Sequence, residues 1–300
     1  MNGDSDLAPA GNKWILGARP RTLPAAVVPV AVGTAAAVGE GEPLFLWRAF
    51  AAGVVALALQ IATNYVNDYA DGERGTDENR IGPTRLVASG LATADQVKAA
   101  AALSFIVAVI AGVALAIAVG PELLVVGGLS MIAGWGYTGG PKPYGYMGLG
   151  EVFVFVFFGV VATVGSTYVQ LSRITPLSLI CSIAVGFLAV ALLVVNNLRD
   201  RPLDAEAGKR TLAVRLGDVK TRQLYVALMG GTAASIVGAA VLRWPAIIGL
   251  VGLVSAARPT REILDGFVGE HLIPVLADTG RAQLITGATL SLGLVLGGLG

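Results

Sequence analysis

Long stretches of this chain carry no charge, and a segment such as "FAAGVVALALQIATNYV" (50–66) escapes water only inside a protein or inside a bilayer. A bilayer core about 30 Å thick is crossed by about 20 apolar residues in a helix. Runs of this kind are predicted over roughly 22–39, 48–66, 99–119, 122–138, 152–171, 176–195, 223–241, 244–257 and 282–299. The eighth, "WPAIIGLVGLVSAA", is short; it is read as re-entrant or as borrowing flanking residues. A glycine-rich soluble enzyme is the competing class. With 14% charged residues against about 25% in soluble domains, and with nine such runs, the chain is predicted to be an all-α integral membrane protein of about nine transmembrane helices. The 40 glycines suit that reading, because small residues let membrane helices approach closely.

The basic residues orient the layout. With the N-terminus placed in the cytoplasm, all but Arg48, Arg173 and Arg243 of the 21 Lys and Arg fall on cytoplasmic segments, the asymmetry that the positive-inside rule describes. Two cytoplasmic loops stand out by length and charge, about 67–98 and 196–222, whereas the outer connections are short. The polar, acidic start "MNGDSDLAPAGNKW" lacks a cleavable signal's basic-then-apolar design, so residues 1–13 are predicted to be a flexible tail. Cys181 is the single cysteine, which excludes a disulfide framework or thiol metal centre. A net charge of +1 gives no reason to expect a nucleic-acid partner.

At the end of the second run the chain reads "NDYADGERGTD" (67–77). Gln60, Asn64, Asn67, Asp68 and Asp71 fall at i, i+4, i+7, i+8 and i+11, one face of a helix. Gly72 and Gly75 are predicted to break the helix, with Asp77 returning on the loop. A second cluster repeats the spacing: Asn196, Asp200 and Asp204 at i, i+4, i+8, with Asn197 beside them and Pro202 distorting the last turn. Ionised groups at a membrane boundary are costly unless paired, hydrated or functional. Carboxylates and amide carbonyls are hard oxygen ligands that suit Mg²⁺, which fills its remaining positions with water and substrate phosphates. Arg80, Arg85, Lys209 and Arg210 follow the clusters and suit phosphate charge. Two such clusters at the end of apolar helices suit a diphosphate carrying an apolar tail.

The segments "NDYADGERGTDENRIGPTRLVASG" and "NNLRDRPLDAEAGKRTLAVRLG" resemble the two aspartate-rich motifs of the UbiA superfamily of intramembrane prenyltransferases, over nearly the whole chain. The resemblance implies one domain over 1–300, with helices around a central cavity capped by the two cytoplasmic loops. Further segments, "ARPRTLPAAVVPV", "RIGPTRLV", "YTGGPKPYGYMGLGE" and "GKRTLAVRLG", resemble the branch that acts in menaquinone synthesis. That branch joins a polyprenyl diphosphate to 1,4-dihydroxy-2-naphthoate, with loss of CO₂, in the bacterial cell membrane. The resemblance implies a Mg²⁺ site of Asn64, Asp68, Asp71, Asp77, Asn197, Asp200 and Asp204, with Asp68, Asp71, Asp200, Asp204 and Lys142 as the catalytic set. It further implies diphosphate or substrate contacts from Arg19, Asn67, Arg80, Arg85, Tyr137, Lys142, Lys209 and Arg210. One departure stands out: Asp77 lies six residues after Asp71, where the family's usual spacing is four. A sister enzyme with another aromatic acceptor and an ion-coupled transporter are the alternatives. Glu151 is read as a helix-start acid or as a group that orients a cation.

Overall fold

The helices start where the local chemistry provides for their unpaired amides. Thr93 and Thr175 form capping boxes with Gln96 and Ser178, and Thr211 accepts from the Val214 amide. Pro24 and Pro176 occupy first-turn positions, where a missing N–H is harmless. The computed structural model describes residues 12–75 and 84–300, and no strand occurs among them. The predicted tail ends earlier than residue 13: Asn12 accepts from the Trp14 amide and caps the short helix Lys13–Ala18.

Among the described residues, six helical segments are long and apolar enough to cross a membrane: Leu46–Glu73, Ala94–Ala118, Gly150–Leu171, Pro176–Glu206, Leu212–Leu242 and Gly269–Leu299. Pro24–Ala37 and Glu122–Gly136 are shorter apolar helices. The eighth predicted run is a chain of short turns, Trp244–Ile248, Gly249–Leu253, Val254–Ala256 and Ala257–Leu264. This layout is compatible with nine crossings. "VFVFVFF", which alternates like a strand, is helical and includes a π-helical turn at Phe155–Val161.

The outside and inside of the bundle invert the pattern of a soluble protein. Leu103, Ile106, Ile110 and Ile117 are exposed on one helix, and Leu124, Val125, Leu129 and Ile132 on another. Meanwhile Thr163, Thr167, Thr232, Thr279, Gln283 and Thr286 are buried. An apolar exterior of this extent is suited to lipid. The chain is an integral membrane protein.

Helix Pro24–Ala37 sits at the centre, against Ala162–Leu171, Pro176–Glu206 and Leu272–Leu299. It is made of small residues and is buried nearly all round. A Cβ on Gly33 would lie 2.1 Å from the Thr163 carbonyl oxygen, so the two backbones touch there. The Thr167 hydroxyl then donates to the Gly33 carbonyl at 2.7 Å.

The three basic residues that break the charge asymmetry all tie helix ends together. Arg243 donates to the carbonyls of Val38 and Leu294 and pairs with Glu40 at 2.9 Å. Arg48 donates to the carbonyls of Val169 and Ala118, and Arg173 reaches Glu40. Arg48 and Arg243 satisfy carbonyls at helix C-terminal ends, among them Ala118 and Val38.

Gly33→Val places a branched side chain against a backbone carbonyl that has no room to move. Overpacking of this kind costs about 1–3 kcal/mol. The variant is expected to unfold at a lower temperature than the parent in detergent, by circular dichroism; an unchanged midpoint would contradict the backbone contact.

Candidate active site

A cavity of about 330 Å³ opens at the end of the bundle where both aspartate motifs lie. Its first wall is the polar stripe of helix Leu46–Glu73. Gln60, Asn64, Asn67 and Asp71 all line it. The stripe is held by the chain entering helix Pro24–Ala37. The Asn64 amide donates to the Ala18 carbonyl at 2.9 Å and to the Thr22 hydroxyl at 3.1 Å, and Gln60 donates to Thr22 at 3.2 Å. Arg19 reaches the Asn64 carbonyl at 3.2 Å from a left-handed backbone, φ +52°. That conformation costs an L-residue roughly 1–2 kcal/mol, and it aims the guanidinium at the cavity rather than along the chain.

Asp71 is the hub. It accepts a short hydrogen bond from the Tyr146 hydroxyl, pairs with Lys209 at 3.3 Å and has Arg85 at 3.9 Å. Three separate segments thus meet on one carboxylate. The Lys209 ammonium also lies 4.7 Å from the centre of the Tyr146 ring. Thr138 donates to the Asn67 side chain at 2.5 Å, and Arg74 holds the carbonyls of Thr138 and Gly140. The connection 137–149 is therefore clamped onto the first motif. Burial pushes the Tyr144 phenol well above its usual range, so it stays a neutral donor to the Ala133 carbonyl at 2.7 Å.

The facing wall is helix Pro176–Glu206, which brings Asn196, Asn197, Asp200 and Asp204 to the cavity. The helix runs through Pro202 to Glu206, so Asp204 sits within it rather than beyond a distorted end. Arg199, 3% exposed, grips Asp200 with two bonds of 2.7 and 2.8 Å and also donates to Asn196. Buried Glu151 accepts from the Asn197 amide at 2.9 Å. The acid that opens helix Gly150–Leu171 thus orients a cavity residue. Tyr137 lines the cavity beside it, its ring 3.2 Å from where a Gly150 Cβ would stand.

A second cavity of about 380 Å³ is lined by small and apolar side chains, among them Val55, Leu59, Gly112, Gly128, Phe157 and Gly165. Thr63 and Phe158 line both cavities and so stand at the boundary, or neck, where the two come closest.

The UbiA prenyltransferase family pattern matches residues 26–262. The chain belongs to the UbiA prenyltransferase family. The 1,4-dihydroxy-2-naphthoate octaprenyltransferase of Mycobacterium tuberculosis is 46% identical over 96% of this chain and 98% of that protein. The Escherichia coli protein of the same name is 36% identical over 94% and 95%. A UbiA homolog from Archaeoglobus fulgidus, solved bound to GPP and Mg²⁺, shares the fold at TM-score 0.67 and 16% identity, covering 95% of this chain and all of that one. An apo UbiA homolog from Aeropyrum pernix aligns at TM-score 0.69 and 14% identity over 92% and 96%.

Of the site residues predicted from the UbiA motifs, the cavity gathers Arg19, Asn64, Asn67, Asp71, Arg85, Tyr137, Asn197, Asp200, Asp204 and Lys209. Asp68 is not among its lining residues. It is fully buried, and its two oxygens accept the Leu86 and Val87 amides at 2.9 and 3.0 Å. At 100° per residue it lies about 60° around the helix from Asp71, enough to face the returning loop instead of the chamber. Lys142 and Arg210 are exposed and off the lining; Arg210 works through its backbone, which pairs with Tyr146 and Arg215. Asp77 and Arg80 lie outside the described residues. Gly72 stays helical, and the helix turns at Gly75, φ +68°. A Cβ on Gly72 would meet Val87 at 2.6 Å, so that glycine serves close packing of the loop.

The UbiA motifs alone did not reveal Arg199, Tyr146, Thr138 or Phe158. Arg199 had a signal: a cation in an otherwise apolar helix, next to Asp200, needs a partner. Tyr146 and Thr138 meet the first motif across more than 70 residues of sequence and had none.

Asp68→Ala orphans two buried amides, at about 1–3 kcal/mol each. Hydrogen exchange at Leu86 and Val87 is expected to accelerate strongly in the variant, while exchange in helix Pro176–Glu206 stays as it was. Equal protection in parent and variant would contradict this anchoring.

Proposed function

We propose that this chain transfers a polyprenyl group from its diphosphate to 1,4-dihydroxy-2-naphthoate, releasing CO₂ and forming demethylmenaquinol, the reduced form of demethylmenaquinone. The observation that carries the reading is the adjacency of two unlike cavities, which share Thr63 and Phe158 in their walls. The first gathers the carboxylates, amides and cations at one end of a partly apolar lining, whereas the second is lined almost wholly by apolar side chains. A diphosphate with a long hydrocarbon tail has the same division. The names of the bacterial relatives support the acceptor.

The donor set fits Mg²⁺. Asp71, Asp200 and Asp204 line the cavity with Asn64 and Asn197, and Mg²⁺ takes one or two carboxylates when phosphates supply the rest. Among the described residues no group of three His, Cys, Asp or Glu stands ready to enclose an ion, which agrees with a metal that arrives with its diphosphate. Bound there, Mg²⁺ would neutralise the diphosphate and make it a better leaving group.

The chain's own groups do the rest. Lys209 and Arg85 line the cavity while balancing Asp71, and would offer their charge to diphosphate oxygens; Arg199 balances Asp200 from behind the lining. As the C1–O bond breaks, its electron pair leaves with the diphosphate. A π pair of the electron-rich acceptor ring forms the new C–C bond. The C–carboxylate bond then breaks, its pair returns to the ring, and CO₂ departs. Apolar walls exclude water that would otherwise capture the allylic cation. The chamber faces the cytoplasm of a bacterial cell with the N-terminus on the same side, a reading supported by the distribution of basic residues.

Purified protein with a polyprenyl diphosphate and a panel of aromatic acids is expected to prenylate 1,4-dihydroxy-2-naphthoate with release of CO₂, and to stop in excess EDTA. Preference for another acid, or full activity in EDTA, overturns the acceptor or the metal respectively. Asp71→Asn and Asp200→Asn are each expected to lower kcat by about 100-fold or more, and also to lower the unfolding temperature, because each leaves a buried cation without its carboxylate.

Gly128 lines the apolar cavity and a Cβ there would meet nothing within 4 Å, so Gly128→Phe is chosen to place a ring in that space. The kcat/KM ratio of short over long prenyl diphosphates is expected to rise by about tenfold. An unchanged ratio places the tail elsewhere.

A further inference from the structure

A prenyl diphosphate bound as proposed has one part whose position follows from connectivity. Its diphosphate belongs among Asp71, Asp200 and Lys209, and its tail among the apolar helices. The allylic carbons join the two, so they lie at the neck. Among the described residues, only Thr63 and Phe158 line both cavities. The Thr63 hydroxyl donates to the Leu59 carbonyl at 2.9 Å, which directs its proton away from the neck. The other wall is the ring of Phe158.

The backbone explains why Phe158 stands there. Gly159 is pinned against Gly186: a Cβ on Gly159 would lie 2.5 Å from the Gly186 Cα. Phe155 packs on the same side, with its ring centre 5.4 Å from that of Phe187. The π-helical turn Phe155–Val161 holds this side to helix Pro176–Glu206 while Phe157 and Phe158, consecutive in sequence, both face the apolar cavity. Single π-turns inside helices are frequent at functional sites. Tyr144, Phe153 and Phe157 stack on one another, centres 3.9 and 6.0 Å apart. Phe158 instead lines both cavities, so part of its ring borders the space a ligand would fill.

We infer that the Phe158 ring is the surface on which the allylic head of the donor rests, and that it holds and shields the cation formed when the diphosphate leaves. An aromatic face attracts a cation, most strongly where water is excluded. A cation at the neck has two fates. Attack by the acceptor ring gives the C-prenylated product; attack by water gives a prenyl alcohol and a proton. Phe158 favours the first by stabilising the cation and occupying the space that water would take. This inference rests on the transferase reading above.

The test uses the full chain in detergent with labelled polyprenyl diphosphate and 1,4-dihydroxy-2-naphthoate, scoring both prenylated product and prenyl alcohol. Phe158→Leu keeps an apolar side chain and removes the ring. Its kcat is expected to fall by about 10- to 30-fold. The alcohol's share of turnover rises, and KM for both substrates stays within about threefold. Phe158→Trp retains at least half of the parent's kcat and its product partition. Val156→Ala, on the lipid-facing side of the same turn, leaves both unchanged. If Phe158→Leu does not fold, Phe158→Met carries the same test. Parental kcat and partition in the Leu variant, or a loss confined to KM, overturns the role of Phe158 alone. A parent protein that prenylates no acceptor overturns the transferase reading and this inference with it.

Discussion

Everything at the mouth of this bundle depends on keeping Asp71 neutralised. A carboxylate at the end of a membrane helix, 4% exposed, is not tolerated without compensation. Here the compensation comes from three segments far apart in sequence: Tyr146 from the 137–149 connection, Arg85 from the loop after the first motif and Lys209 from the loop after the second. The same contacts that settle one charge therefore close the chamber. They also leave cations next to acids, a stock of positive charge that can turn to a diphosphate without any new group being brought in.

The second motif solves the same problem within itself. Arg199 and Asp200 are neighbours in sequence and form a two-bond pair in a buried setting. A pair like this contributes little net stability, because desolvating both ions offsets their attraction. Its geometry holds the Asp200 carboxylate fixed at the edge of the chamber.

The apolar half has a different logic. Lipid gives helices no hydrophobic reason to associate, so close packing of small residues carries the bundle. Gly33 on Thr163 and Gly159 on Gly186 are backbone-to-backbone contacts of this type. Where small residues line a gap instead of a contact, as at Gly112, Gly128 and Gly165, they leave the second cavity open. One residue type thus serves both to close the bundle and to hollow it.

Much of this was legible in the chain. Apolar runs of bilayer length gave the helices, and 3.6-residue spacing put Asn64, Asn67 and Asp71 on one stripe, because both are properties of a single helix. The resemblance of the two motifs to UbiA enzymes pointed to their pairing. What one helix cannot decide is which edge of its polar stripe meets which neighbour. Asp68 and Asp71 are equal in sequence, yet one anchors a loop and the other faces the chamber, because the Leu86 and Val87 amides return on one side only. Lys142 and Lys209 are likewise equal as lysines, but only the second is carried to Asp71. Periodicity is a local property and determined the elements; the partners of Asp68 and Asp71 come from beyond their own helix, from the returning loop for the first and as far away as Lys209 for the second, and the tertiary structure alone decided them.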